Sequence, residues 1–345
     1  MDKKFLYEML STSSVSGNEQ ELEHKIYDYM QGKVDRVTTD EMANVYAAVN
    51  PDAEFKVLLT GHADEIGLMV TAVTGEGMLK VTKIGGIPVS CYPGHKVRVY
   101  TREGVLYGTV VRTAAIAKNK DLSASDLTVD IGATSKEDAL KHVQLGDTLT
   151  FDTDYRELLN DRIAGRALDD RVGAFIVMQA VAKAKEMGCS IGAYAASTTG
   201  EETTMNGAYF TASRVKPNIA IAVDVTYTSD YPGVDIAATG DVQLGKGPVI
   251  CNNPSIHKIV NKKLAEAAKK QNIEVQWEAA NGRTGTDGDV MHKSGVGVPF
   301  ALLSIPLRYM HCPGEVVSLQ DVEACIDLLA QFLCDCSADM NLKYF

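Results

Sequence analysis

The sequence predicts an α/β protein with a mixed sheet, interrupted by a small inserted β-barrel domain. Three observations predict it. After Gly165, short apolar runs alternate with helical patterns, as strands and covering helices do. Between residues 71 and 153 the texture changes to brief β-branched runs separated by glycine-rich turns. The chain has 345 residues, more than a single core of ordinary size uses.

In chain order, Ser16 and Glu19 make a capping-box pattern ahead of Leu22, Ile26 and Tyr29, apolar at helical spacing. Residues 56–60 read as a buried strand ending at Gly61-His62-Ala63-Asp64. Residues 96–100, 105–111, 127–131 and 148–151 read as barrel strands. Turns at Gly85-Gly86, Glu103-Gly104 and Gly146-Asp147 separate such runs. Beyond Gly165, residues 172–184 and 254–270 read as helices, and 192–197, 219–223 and 299–305 as strands. A closing helix at 318–333 opens on Ser318 and Asp321. The expected organisation is a catalytic α/β domain from 1–70 and 154–345, split by an inserted β-domain at 71–153.

Composition narrows the function. Apolar residues make up 45% and charged residues 23%, which excludes wholesale disorder. A net charge of −11 argues against a nucleic-acid backbone as partner. No stretch approaches the roughly 18 apolar residues of a membrane span, and the N-terminus has no secretory pattern. The seven cysteines are odd in number and mostly embedded in apolar sequence, which suits a cytoplasmic protein. The Cys334/Cys336 pair reads as helix packing.

The chemistry is concentrated where apolar runs end. His62, Asp64 and Glu65 follow one; Glu201 and Glu202 follow a second; Asp224 ends a third, and His311 follows a fourth. Asp169 and Asp170 stand just before a helix. Taken singly, each acid could be a solvated loop end or a helix cap. In open α/β sheets, however, ligands bind beyond the carboxyl ends of the strands, so these residues are placed to converge. Two imidazoles with several carboxylates suit Zn²⁺, Co²⁺ or Mn²⁺, and are enough for two ions.

The ordered motifs H-x-D-E-I-G, L-D-D-R-x-G, G-E-E, A-V-D-V-T and Y-M-H-x-P resemble the M42 family of metallo-aminopeptidases. This group includes glutamyl and tetrahedral aminopeptidases, and some members labelled endoglucanases. The resemblance runs along nearly the whole chain. It implies a phosphorylase/hydrolase-like metallopeptidase domain and hydrolysis of the N-terminal residue of peptides. It also implies two divalent ions per subunit, zinc first, with cobalt or manganese as alternatives. His62 and Asp224 would hold one ion, Glu202 and His311 the other, with Asp169 bridging. Glu201 would be the base that activates a metal-bridging water, and Asp64 would orient the His62 ring. The inserted domain would serve dimerisation and substrate access, in a homo-oligomer built from dimers and reaching a dodecamer.

Glu65 and Asp170 read as hydrogen-bonding residues rather than ligands, and His95 and His142 as surface residues. Gly285, Thr286 and Asp287 match a family segment near the substrate wall, and His292 has no assigned role. Gly200 stands where many relatives have glutamine, Cys312 where a small hydroxyl residue is usual, and Gly314 where a β-branched residue is common. A Lys-Pro-Pro-His element is absent from the β-domain. Two other readings compete. A metal-independent glycosidase also uses two carboxylates, but it does not call for two histidines and further acids; the chain also has one tryptophan and only 7% aromatics. A catalytically silent scaffold would not need all of these residues intact.

Overall fold

The computed structural model describes residues 1–345, all but the side chains of residues 238 and 239. Two helices come first, α1 (Lys3–Ser11) and α2 (Gln20–Met30). Phe5, Leu6, Met9 and Leu10 of α1, and Leu22, Ile26 and Met30 of α2, are buried against the sheet. The expected capping box does not form. Ser16 Oγ pairs instead with Thr203 Oγ1 at 2.9 Å, and Glu19 Oε1 accepts from the Gly17 N–H at 2.7 Å. Both groups find partners outside the helix, and α2 begins at Gln20 without a side-chain cap.

Strands β1 (Arg36–Thr39), β2 (Val45–Val49) and β3 (Lys56–His62) follow. Then β4 (Gly67–Val73), β5 (Leu79–Ile84), β6 (Lys96–Thr101), β7 (Gly104–Val110), β8 (Thr128–Asp130) and β9 (Thr148–Phe151) close into an antiparallel barrel. Short helices α3 (Ala114–Lys118) and α4 (Lys136–Ala139) sit in its connections. The barrel carries its own buried cluster, including Leu68, Val81, Val97, Val99 and Leu149, distinct from the cluster around the main sheet.

The chain returns through β10 (Arg156–Leu158) and β11 (Arg162–Gly165) to the long helix α5 (Leu168–Glu186). Next come β12 (Gly192–Thr198), α6 (Asn206–Val215), β13 (Ile219–Tyr227), α7 (Ile236–Thr239), β14 (Val249–Asn252), α8 (Lys258–Lys270) and β15 (Gln276–Ala279). The chain ends with α9 (Gly288–Met291), β16 (Phe300–Leu307), β17 (Glu315–Ser318) and α10 (Leu319–Asp335). The main sheet has the order β1-β2-β12-β3-β13-β16-β14-β15.

The central strands β12, β3, β13 and β16 run parallel, with Thr198 opposite His62 and Asp224 opposite Ser304. Their carboxyl ends therefore lie at one edge, and their near-continuous apolar sequences reflect burial on both faces. Helix α5 packs against β3 closely enough that a Cβ on Gly61 would lie 2.4 Å from the Ala174 nitrogen. Only glycine allows that approach, which brings the start of α5 beside the end of β3. Asp321 does not cap α10 but accepts from the Gly245 and Gly247 N–H groups at 2.7 and 2.8 Å. All seven cysteines are free, and Cys334 and Cys336 pack at the end of α10. Among the described residues, no helix is long and apolar enough to cross a membrane.

Candidate metal centre

Four strand ends and one helix start converge here. His62 is the last residue of β3; Glu201 and Glu202 lie just beyond β12; Asp224 lies in β13; His311 follows β16; and Asp169 opens α5. Asp169 stands between the two imidazoles, with Oδ1 3.3 Å from His62 Nε2 and Oδ2 3.2 Å from His311 Nε2. His311 Nε2 is also 3.4 Å from Glu202 Oε1, and His62 Nε2 is 3.8 Å from Glu201 Oε2. Ligand atoms of His62, Asp169 and Glu202 fall within 4.8 Å of one another, as do those of His62, Asp170 and Asp224.

Backbone carbonyls orient both rings. His62 Nδ1 lies 3.0 Å from the Asp64 carbonyl, and His311 Nδ1 lies 2.9 Å from the Gly86 carbonyl in the β5–β6 connection. Each Nδ1 thus donates outward and leaves Nε2 facing the carboxylates, the arrangement a metal-ligating histidine adopts. Gly86 is close enough to His311 that a Cβ there would lie 3.2 Å from its Cε1.

The electrostatics fit a cation. Burial pushes the Glu201 carboxyl up to about 10, with Asp224, Asp287 and Glu202 adding to the rise against an opposing pull from His62. Burial likewise raises Glu202 and Asp224. Burial opposes protonation of His311, but Asp169 and Glu202 outweigh it and carry the ring up to about 12. His62 is raised by the same competition, with Asp169 and Asp64 prevailing. Asp169 is held low because His311 and His62 overcome its burial. Glu201 Oε1 is buried without a hydrogen-bond partner. The donor set of imidazole nitrogens and carboxylate oxygens, short of positive charge, suits divalent ions of the zinc, cobalt and manganese kind.

The surrounding residues divide clearly. Asp64 meets the His62 ring with both its carbonyl, 3.0 Å from Nδ1, and its carboxylate, 3.4 Å from the same nitrogen. Its carboxylate also takes the N–H groups of Glu201 and Glu202 at 2.9 and 3.1 Å. Asp170 accepts from the His62 and Gly173 N–H groups, both at 3.1 Å. Glu65 is buried between the guanidinium groups of Arg166 and Arg171. His95 and His142 are exposed on the barrel, and His292 stacks on Phe300. Asp287 is buried, with Oδ2 accepting from Thr198 Oγ1 at 2.6 Å and Oδ1 unpaired.

Sequence reasoning missed Glu315. Its Oε2 accepts from the Leu168 and Asp169 N–H groups at 2.8 and 3.2 Å, and its Oε1 from the His311 N–H at 2.7 Å. One buried carboxylate therefore anchors the backbone of both Asp169 and His311. The only available signal was an acid four residues past His311, directly after Pro313-Gly314.

The cleft in front of these groups has a volume of about 300 Å³. The profile of the M42 glutamyl aminopeptidase family matches residues 43–328. A lysyl aminopeptidase of Pyrococcus furiosus is 31% identical over 96% of this chain and 97% of its own length. The TET aminopeptidase of a marine-sediment Thaumarchaeota archaeon superposes with a TM-score of 0.91 at 28% identity, covering 98% of this chain and 97% of that one. The TET1 peptidase of Pyrococcus horikoshii, which assembles into a tetrahedron or a large octahedral shell, does so at 0.87 and 29% identity, covering 97% and 99%.

Proposed function

The chain belongs to the M42 glutamyl aminopeptidase family of peptidases, and on that premise we propose that it removes the N-terminal residue of peptides at a centre for two divalent ions. The observation that carries this reading is one carboxylate shared by two imidazoles, Asp169 at 3.3 Å from His62 and 3.2 Å from His311. In this reading His62 and Asp224 would hold one ion and Glu202 and His311 the other, with Asp169 available to both. Zinc suits the donors best, with cobalt and manganese as substitutes.

When bound, the ions supply Lewis-acid polarisation and positive charge that eases deprotonation of water. The remaining work belongs to the protein's own groups. Glu201 takes a proton from the attacking water and delivers it to the leaving amine. Cations beside it would reverse the raised affinity for protons that burial and neighbouring acids give it. Asp64 holds the Glu201–Glu202 turn, and Glu315 holds Asp169 and His311. A free substrate α-amino group among the carboxylates accounts for attack at the first peptide bond.

We assign the α/β part to catalysis and the inserted barrel to subunit pairing and substrate access; the barrel opens with β4 at Gly67, four residues ahead of the expected boundary at 71. We take the chain to form a homo-oligomer built from dimers and reaching a dodecamer; the dodecameric and shell assemblies of relatives support a homo-oligomer. Light scattering that finds only the 37.2 kDa monomer would overturn this. Seven free cysteines fit a cytoplasmic location.

The decisive test is Glu201→Gln, assayed on peptides with metal content measured in parallel. Activity should fall on the order of 10³-fold with both ions retained. Near-wild-type activity in the loaded variant would refute the role of Glu201. Peptide hydrolysis that survives chelation would refute the metal centre, and chelator-resistant cleavage of a glycoside would favour a metal-independent glycosidase instead.

A further inference from the structure

The far wall of the cleft bears on which first residue is accepted, an inference that rests on the aminopeptidase reading. Asp169, Glu201, Glu202 and Asp224 line the cleft, and so do Tyr227, Thr284, Thr286 and Met310, which we take as its wall away from the metal ligands; among the described residues no lysine or arginine lines it. The two arginines closest in sequence to that wall each pair with a carboxylate, and Arg283 points largely into solvent, its side chain 75% exposed. Arg308 pairs with Asp230, Nη2 to Oδ2 at 2.7 Å and Nε to Oδ1 at 3.0 Å. Arg283 Nε pairs with Asp289 Oδ2 at 3.1 Å.

The threonine hydroxyls are engaged as well. Thr284 Oγ1 donates to Asp289 Oδ1 at 2.9 Å and lies 2.9 Å from Thr286 Oγ1, which accepts from the Gly288 N–H at 3.2 Å. A substrate side-chain carboxylate resting on Tyr227, Thr284, Thr286 and Met310 would meet no lysine or arginine there. A substrate ammonium would find no free carboxylate on the wall. Each would therefore lose hydration without a compensating partner. The apolar surface is different. Tyr227, three residues beyond Asp224 on β13, is 56% exposed, and Met310 is half-buried beside it in the cleft lining. A flat aromatic ring and a flexible thioether form a surface suited to an apolar side chain.

We infer that this cleft selects peptides whose first residue is apolar and uncharged, with Tyr227 and Met310 as the surface that receives it. An acidic first residue is excluded and a basic one is disfavoured.

The test uses the metal-loaded protein with leucine, methionine, lysine and glutamate p-nitroanilides. Binding of free L-leucine and L-glutamate is measured by calorimetry alongside. Leucine and methionine substrates should exceed glutamate by about 100-fold in kcat/KM and lysine by about 10-fold, and leucine should bind where glutamate does not. Tyr227→Arg, at an exposed position, should narrow the leucine-to-glutamate ratio about tenfold, mainly through KM. A wild-type glutamate substrate within tenfold of leucine would overturn the inference, as would equal binding of the two amino acids. If no anilide is cleaved while leucine still binds selectively, the peptidase reading fails and the side-chain preference stands.

Discussion

Asp64 Oδ1 accepts a hydrogen bond from the Glu201 N–H at 2.9 Å, while Oδ2 takes the neighbouring N–H of Glu202 at 3.1 Å. The same residue's carbonyl lies 3.0 Å from His62 Nδ1. One aspartate thus ties the end of β3 to the turn after β12. It fixes two proposed metal ligands and the proposed base relative to one another. Asp64→Asn keeps the shape but turns an amide NH₂ toward one of the two N–H donors. We expect activity and metal affinity to fall by about 10- to 100-fold, as for other groups that orient metal ligands. Kinetics with metal titration checks this; unchanged affinity and rate would remove Asp64 from the site.

Glu65 illustrates the opposite use of a buried acid. It lies between Arg166 and Arg171, and Arg171 also reaches Ser14 Oγ at 2.8 Å and the carbonyls of Met9 and Leu10, both at 3.2 Å. Glu65→Gln would leave two buried guanidinium groups without an anion, and should destabilise by about 3–5 kcal/mol in denaturant unfolding. Burial alone would raise the Glu65 pKa, but the two arginines bring it below the ordinary value. A depressed carboxyl stabilises above its unfolded pKa of 4.5, and that contribution is lost as pH falls through the folded value. The Gln variant should therefore lack this acid-induced loss.

Glu19 and Glu23 carry the opposite sign. Burial, then Asp64, raises Glu19 to about 7; burial raises Glu23 well above its usual range. Glu23 is 2% exposed, and the buried Ser197 hydroxyl beside it only partly offsets the rise. Between pH 4.5 and about 7 the folded chain binds more protons than the unfolded one at Glu19, so stability falls as pH rises through that window. Glu23 extends the decline to higher pH. Glu23→Gln removes that titrating charge and should stabilise by about 1–3 kcal/mol at pH 8, with little effect at pH 5. Urea midpoints at the two pH values check this, and equal shifts at both would refute it.

The convergence of the site was legible because every ligand candidate but Asp169, which opens a helix, follows an apolar run. The parallel strands β3, β12, β13 and β16 turn such runs into a common edge. What eluded the sequence depends on tertiary partners. Ser16 and Glu19 looked like a helix cap but bond to Thr203 and Gly17. Strand β4 was obscured because its register shifts between Val70 and Ala72, which breaks the alternation that marks a strand. Glu315 and the carboxylate of Asp64 act on backbone N–H groups distant in sequence, and no local spacing encodes that.

Metal binding should be coupled to proton release. In the metal-free protein Glu201 is raised to about 10 and His311 to about 12, and His62 is raised well above its usual value. All three therefore hold protons at neutral pH that a cation must displace, because ligands bind deprotonated. Loading the site at pH 7 should release about two or more protons per subunit. Calorimetry in buffers of different ionisation enthalpy measures that number. Affinity should fall steeply as pH is lowered, since each displaced proton then competes more strongly. Ions that bind only the folded chain should also stabilise it, by about 2.7 kcal/mol at a free concentration 100 times Kd. Stripping the protein with a chelator should correspondingly lower its thermal midpoint, and zinc or cobalt should restore it. Binding with no proton release, or no thermal response to metal, would contradict a site in which cations replace protons among these carboxylates and imidazoles.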